Sequence, residues 1–153
     1  MTGVQRVLAG AAALGLITLV VGTFLPWFHS GSVERHSYQA ASLAGRLSLV
    51  DNAFAGAALR IWPAVPLLAA ACAGLFALGL LRTGATVTAL LAISVGTVAL
   101  LACVQSGATG GLVGITLTGP VTTVAGAIVA LAGALGAVAA PRAHPMTRTG
   151  GQP

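Results

Sequence analysis

"PVTTVAGAIVALAGALGAVAA", Pro120 to Ala140, is the stretch on which the fold turns. It carries no charged side chain. It is long enough to cross a bilayer, which takes roughly 20 mostly apolar residues. Its small residues are ordered: Gly126, Ala130, Gly133, Ala137 and Ala140 recur at steps of four, three, four and three. In a helix that spacing makes one stripe of small side chains along one face. Lipid tails are as apolar as leucine, so helices in a membrane associate by close packing of small residues. The segment predicts a spanning helix whose small face meets another helix.

Three more segments read the same way. They are Val7–Leu25, Ile61–Leu81 and Gly84–Val104, none with a charged side chain. The first run, "VLAGAAALGLITLVVGTFL", is longer than the apolar core of about 7–15 residues in a secretory signal, and no small-x-small cleavage site follows it. We expect it to be a retained helix. Composition agrees: 57% of residues are hydrophobic, 6% are charged and the mean hydropathy is +0.99. Soluble domains carry about 25% charged residues, so this chain cannot face water on all sides. The expected fold class is an all-α integral membrane protein, a four-transmembrane-helix bundle over residues 1–140. Residues 141–153, "PRAHPMTRTGGQP", have no apolar face, and we expect a disordered cytoplasmic tail.

The charges set the expected orientation. The seven basic residues are all arginines, against two acids. With both termini inside, Arg6, Arg82, Arg142 and Arg148 lie on the cytoplasmic side, and Arg35, Arg46 and Arg60 lie outside with Glu34 and Asp51. The excess of inner arginines favours a multi-pass plasma-membrane protein with both ends in the cytoplasm. Arginines scattered singly between apolar runs do not form a nucleic-acid footprint. The "LLRTG" stretch between the second and third spans is short enough for a tight turn only. Pro26 ends the first span, and Pro63 and Pro66 fall in the opening turns of the second, where a missing N–H costs little. Thr118 or Gly119 would cap the fourth span. Trp27 and Trp62 then fall at one interface, the level tryptophan prefers, and serve as interface anchors.

Between the first two spans lies a long loop, residues 28–60, against a usual connection of about 4–6 residues. Within it Leu43, Leu47, Val50, Phe54, Ala57 and Ile61 recur at helical steps. An outer amphipathic helix is expected over about 38–58, with Ser37 as its N-cap, capping the bundle or lying in the outer interface. Few cations on its polar face favour capping. The second outer loop holds "LVGITLTG", a short alternation of β type.

Chemistry is harder to find. Coupled transporters keep ionisable groups inside the membrane, and no span contains one. The hydroxyls of Thr18, Thr23, Thr86, Thr88, Ser94, Thr97, Thr122 and Thr123 are expected to bond back to their own helices. Cys72 and Cys103 lie in apolar runs and read as small hydrophobes. His29, Glu34, His36 and Tyr38 share the loop, but a metal site needs three or four convergent ligands, and a nucleophilic site needs a positioned base. No catalytic residue, cofactor or metal site is therefore expected. The residues that no structural role absorbs are Glu34, Arg35, His36, Tyr38 and Arg46, the candidate recognition epitope.

Several of these residues form a pattern. Pro26, Trp27, Ser30, Gly31, Arg35, Ser37, Tyr38, Arg46, Leu47, Arg60, Trp62, Pro63 and Pro66, set among four spans, resemble the small four-span membrane proteins of actinobacteria. The resemblance implies a topology and no enzyme class. The expected function is that of a non-catalytic accessory or scaffolding subunit of a membrane or envelope complex. Its partners would be membrane lipids and another membrane protein or a second copy of itself, with no nucleic acid. The alternative is a lipid or small-molecule binding or transport protein, with a cavity roofed by the outer loop and Arg35 and Arg46 on an anionic headgroup.

Overall fold

The structure, a computed structural model, describes residues 3–30, 33–39, 61–105 and 113–140. Its helices are α1 (Gly3–Phe24), α2 (Val65–Ala77), α3 (Leu81–Gln105) and α4 (Thr118–Ala139). Strands β1 (Pro26–Ser30), β2 (Val33–His36) and β3 (Val113–Ile115) form a small sheet. Helices α1, α3 and α4 are long and apolar enough to cross a membrane. The shorter apolar helix Trp62–Ala77 includes a 3₁₀ turn at Trp62–Ala64. The chain is a mainly helical, membrane-embedded protein. The outer amphipathic helix expected over 38–58 lies almost wholly outside the described residues, as does the 141–153 tail; residues 37–39 are helical.

Burial is inverted relative to a water-soluble domain. Small residues fill the inside: Ala12, Ala99, Ala130 and Ala134 are fully buried, as are Thr23, Thr88 and Thr123. Large apolar side chains such as Val7, Ile17, Leu67, Leu90, Ile128 and Leu135 point outward. Hydrocarbon solvates leucine without cost, so burying leucine brings little, and helices gain by approaching closely through small residues.

The closest approach is between α1 and α4. They run antiparallel: Ala12 meets Gly133, Gly15 meets Ala130, Leu19 meets Gly126 and Gly22 meets Thr123. At Gly15 an added Cβ would lie 2.7 Å from the Ala130 Cα. The stripe read in the sequence therefore packs within the chain, against α1. Gly126 and Gly133 are seven apart, and so are Gly15 and Gly22. Two turns of helix separate each pair, so both glycines of a pair lie on the same face. Ala140, the last member of the stripe, falls just past the end of α4, where its carbonyl accepts a bond from Gln5 Nε2 at 3.4 Å.

Two apolar layers draw on all four helices. One holds Ala9, Ala12, Phe76, Ala85 and Ala134. The other includes Leu16, Leu19, Val65, Cys72, Leu91, Val95 and Ala127. From the first layer to the second, residue numbers rise along α1 and α3 and fall along α2 and α4. Chain neighbours are thus antiparallel.

Several boundaries differ from the sequence reading. The turn between α2 and α3 is not at "LLRTG" but three residues earlier, at Leu78–Leu80, and Arg82 to Gly84 belong to α3. Gly79 decides this, with φ +79°. Its N–H bonds to the Phe76 carbonyl at 3.0 Å, and that of Leu80 bonds to the Leu75 carbonyl at 2.9 Å. This is the Schellman ending, which needs a left-handed residue and so favours glycine. Helix α4 begins at Thr118, with Leu117 in the cap position and no side-chain cap. Thr118 Oγ1 instead donates to the Pro26 carbonyl at 3.3 Å. Pro63 and Pro66 do lie at the opening of the second helix. Pro66 has no N–H to continue an α-helical ladder, and the Val65 N–H bonds three residues back to Trp62.

The sheet was not foreseen beyond the alternation in "LVGITLTG". Its order is β2-β1-β3, both pairings antiparallel. It ties the connection after α1 to the connection before α4, at the end of the helices where Pro26 meets Thr118.

Candidate functional site

At the sheet end of the helices, polar groups converge on the last turn of α1. A helix leaves its final carbonyls without intrahelical partners, and in an apolar setting each must be bonded elsewhere. Here side chains do it. Trp27 Nε1 donates to the Gly22 carbonyl at 2.9 Å. Ser37 Oγ donates to the Thr23 carbonyl at 2.6 Å and accepts from Trp62 Nε1 at 3.1 Å. Thr23 Oγ1 lies 2.6 Å from the Val20 carbonyl, to which it donates, and 2.9 Å from the Tyr38 hydroxyl. Since the threonine proton goes to Val20, Tyr38 is the donor in the second bond.

The aromatic rings close this collar. Trp27 and Trp62 meet edge to face with centroids 6.0 Å apart, a favoured aromatic geometry. The rings of Phe24 and Tyr38 are 4.9 Å apart. Trp27 sits in a β-bulge: Pro26 pairs with His36 and Phe28 with Arg35, so no β2 residue opposes it. A bulge re-aims one side chain out of the alternation. This one places the Trp27 indole over Gly119, where an added Cβ would strike the ring and lie 2.8 Å from the Pro26 carbonyl.

The candidate epitope divides. Glu34, Arg35 and His36 lie together on β2, an edge strand, opposite His29, Phe28 and Pro26. Tyr38 points instead into the collar, onto Thr23 and Phe24. Arg46 lies outside the described residues. Trp27, buried to 3% exposure, and Trp62, half-buried, occupy the same level and bond to the protein through their ring N–H groups. Ser37, expected as a helix cap, is the link between Trp62 and α1. Sequence reasoning missed Thr23 and Gly119 as parts of this site. Their neighbours in the site, Ser37 for Thr23 and Trp27 for Gly119, are far along the chain, and no local pattern marks them.

Below the collar, a lateral cleft of about 450 Å³ separates α2 from α3. Towards the turn the two helices touch, with the Cβ position of Gly84 3.3 Å from the Leu75 and Phe76 side chains. Towards the collar they part. Trp62, Val65 and Leu68 form one wall, and Val87, Leu90 and Val98 the other. Ser94 supplies a hydroxyl, already donated to the Leu90 carbonyl at 2.8 Å. A smaller cleft of about 220 Å³ lies between α1 and α2, lined in part by Ala13, Ala69 and Ala73.

The remaining hydroxyls within the helices are mostly self-bonded. Thr18, Thr86, Thr122 and Thr123 each donate to the carbonyl four residues back. Thr88 Oγ1 is buried with no partner. Among the described residues no group of three or more His, Cys, Asp or Glu is placed to hold a metal ion.

No protein-family model matches the chain, and neither a curated protein nor a solved structure matches it.

Proposed function

We propose that the chain is a four-span, non-catalytic membrane protein that serves as an accessory or scaffolding subunit of a larger membrane or envelope complex. The observation that carries this reading is where the interior polar groups go. Thr23, Ser37, Trp27 and Trp62 are bonded to one another or to the end of α1, and the other hydroxyls mostly bond to their own helices. These bonds hold shape: the hydroxyls are spent on backbone carbonyls and on one another. A seam of glycines with backbone in contact gives the same kind of rigidity.

The directions of the helices support four crossings. Trp62, at the start of the second helix, bonds at the sheet end of α1, while Phe76 packs with Ala9 near the other end. The helix, though short, thus reaches between the two levels that α1 connects. An even number of crossings is also supported by the Gln5–Ala140 bond, which joins the first helix's start to the last helix's end. With Arg6 and Arg82 at that end, the positive-inside rule favours a plasma-membrane protein with both termini in the cytoplasm. The apolar spacing from Leu43 to Ile61 supports an outer amphipathic helix, which would extend the collar. The likeness to small four-span actinobacterial membrane proteins belongs to the same proposal.

A lipid or transport role through a central cavity held by Arg35 and Arg46 has less support. The described layers between the helices are filled with alanine, leucine, valine, Cys72 and Phe76, and the larger cleft is lateral and has no arginine on its walls. Affinity purification from native membranes, with proteomics, tests the scaffold reading. A reproducible stoichiometric membrane-protein partner is expected. Recovery of the chain alone, under conditions that preserve other membrane complexes, would overturn it.

A further inference from the structure

The cleft between α2 and α3 has walls, depth and polarity that select one kind of occupant. We propose that it holds a single lipid acyl chain, entering from the leaflet on the collar side. This inference rests on the chain's being membrane-embedded and not on the scaffold role.

Volume comes first. About 450 Å³ lies within the range of roughly 300–1,000 Å³ typical of ligand sites. Length follows from the helix: Val87 to Val98 covers about 16 Å at 1.5 Å per residue. Half of a hydrocarbon core of about 30 Å is one leaflet, so the cleft is about one leaflet deep. It closes towards the turn, where Gly84 meets Leu75 and Phe76, and lies on the collar side of that contact, against Trp62 and Val98. A chain anchored by its headgroup at the membrane surface would enter from the collar side.

Polarity narrows the choice. The walls carry no charge, and the Ser94 hydroxyl has already given its proton to Leu90. A polar or ionic ligand would lose its hydration and find no partner, which is costly. A methylene chain loses nothing. Wall size argues against a helix from a second copy. Helix pairs in membranes meet through small residues, as α1 and α4 do here, whereas this cleft is walled by Leu68, Leu90, Val87 and Val98. Such side chains hold another helix away but leave gaps that a flexible chain can fill.

Native mass spectrometry of the full chain, released from its own membrane in mild detergent, should show one retained lipid. Two wall-filling variants, Leu90→Trp and Val98→Trp, should lose it by about tenfold. Ile128→Trp, on the outward face of α4, should retain it, with unchanged melting for all three. As an independent readout, the wild type is placed in phosphatidylcholine vesicles containing a lipid with a photoreactive acyl chain. Label is expected on the cleft walls above that on Ile128 and Leu135. Equal labelling on all faces, lipid retention by both cleft variants, or a disulfide-linked dimer of a Leu90→Cys variant in the membrane would each overturn the proposal.

Discussion

A methyl group added at Gly126 has nowhere to go, because it would lie 2.7 Å from the Leu19 Cα. The backbone of α1 cannot yield as a side-chain tip would. Gly126→Val should cost about 1–3 kcal/mol or more, the usual range of overpacking. Gly10 is the contrast: it faces open space, and Gly10→Ala should be neutral or stabilising by up to about 1 kcal/mol, the gap in helix propensity. Unfolding in denaturing detergent, followed by tryptophan fluorescence, reads both; equal costs at the two sites would mean that the seam is not close-packed. Ser37 is a different case, since its hydroxyl is both donor and acceptor in the collar. Ser37→Ala strands the Trp62 N–H and the Thr23 carbonyl, at about 1–3 kcal/mol for groups left unsatisfied. A shifted emission of Trp62 should accompany it, while an unchanged spectrum and stability would count against the relay.

Among the elements, the α2–α3 turn shows what the sequence leaves open. "LLRTG" has its own glycine and a charge, and both look like a loop. Yet Gly84 is helical and lies against Leu75 and Phe76, whereas Gly79 takes the left-handed conformation. Both glycines are visible in the sequence, but only the bonds around Gly79 tell which one ends the helix. Gly79→Ala should therefore cost about 1–2 kcal/mol, the left-handed penalty for a residue with Cβ. Gly79→Asn should cost less, and Gly74→Ala, in open space, should cost nothing. The sheet shows the same limit. Three short strands drawn from distant connections carry little local signal, and it is pairing that makes them strands. Trp27 was legible as an aromatic near a helix end. That a bulge would turn it over Gly119 was not.

For the whole molecule, the antiparallel seam and the Gln5–Ala140 bond bring the two ends of the helical region together. If the membrane is crossed four times, cysteines replacing His36 and Arg148 must label from opposite sides with an impermeant maleimide. Labelling of both from the same side would overturn the topology.

What the sequence determined by itself is what depends on local composition and period. The apolar runs, the small-residue stripe of the last helix, the proline-marked helix ends and most of the self-bonding hydroxyls follow from residues within a turn or two of one another. The tertiary structure decided which face meets which: that the stripe packs on α1, that Ser37 joins Trp62 to Thr23, and that α2 and α3 part to leave a cleft. The physical reason is that an apolar helix in hydrocarbon has no solvent-driven inside. Leucine is equally at home on any face, so only the shape of the partner helix, supplied by residues far along the chain, determines what is buried.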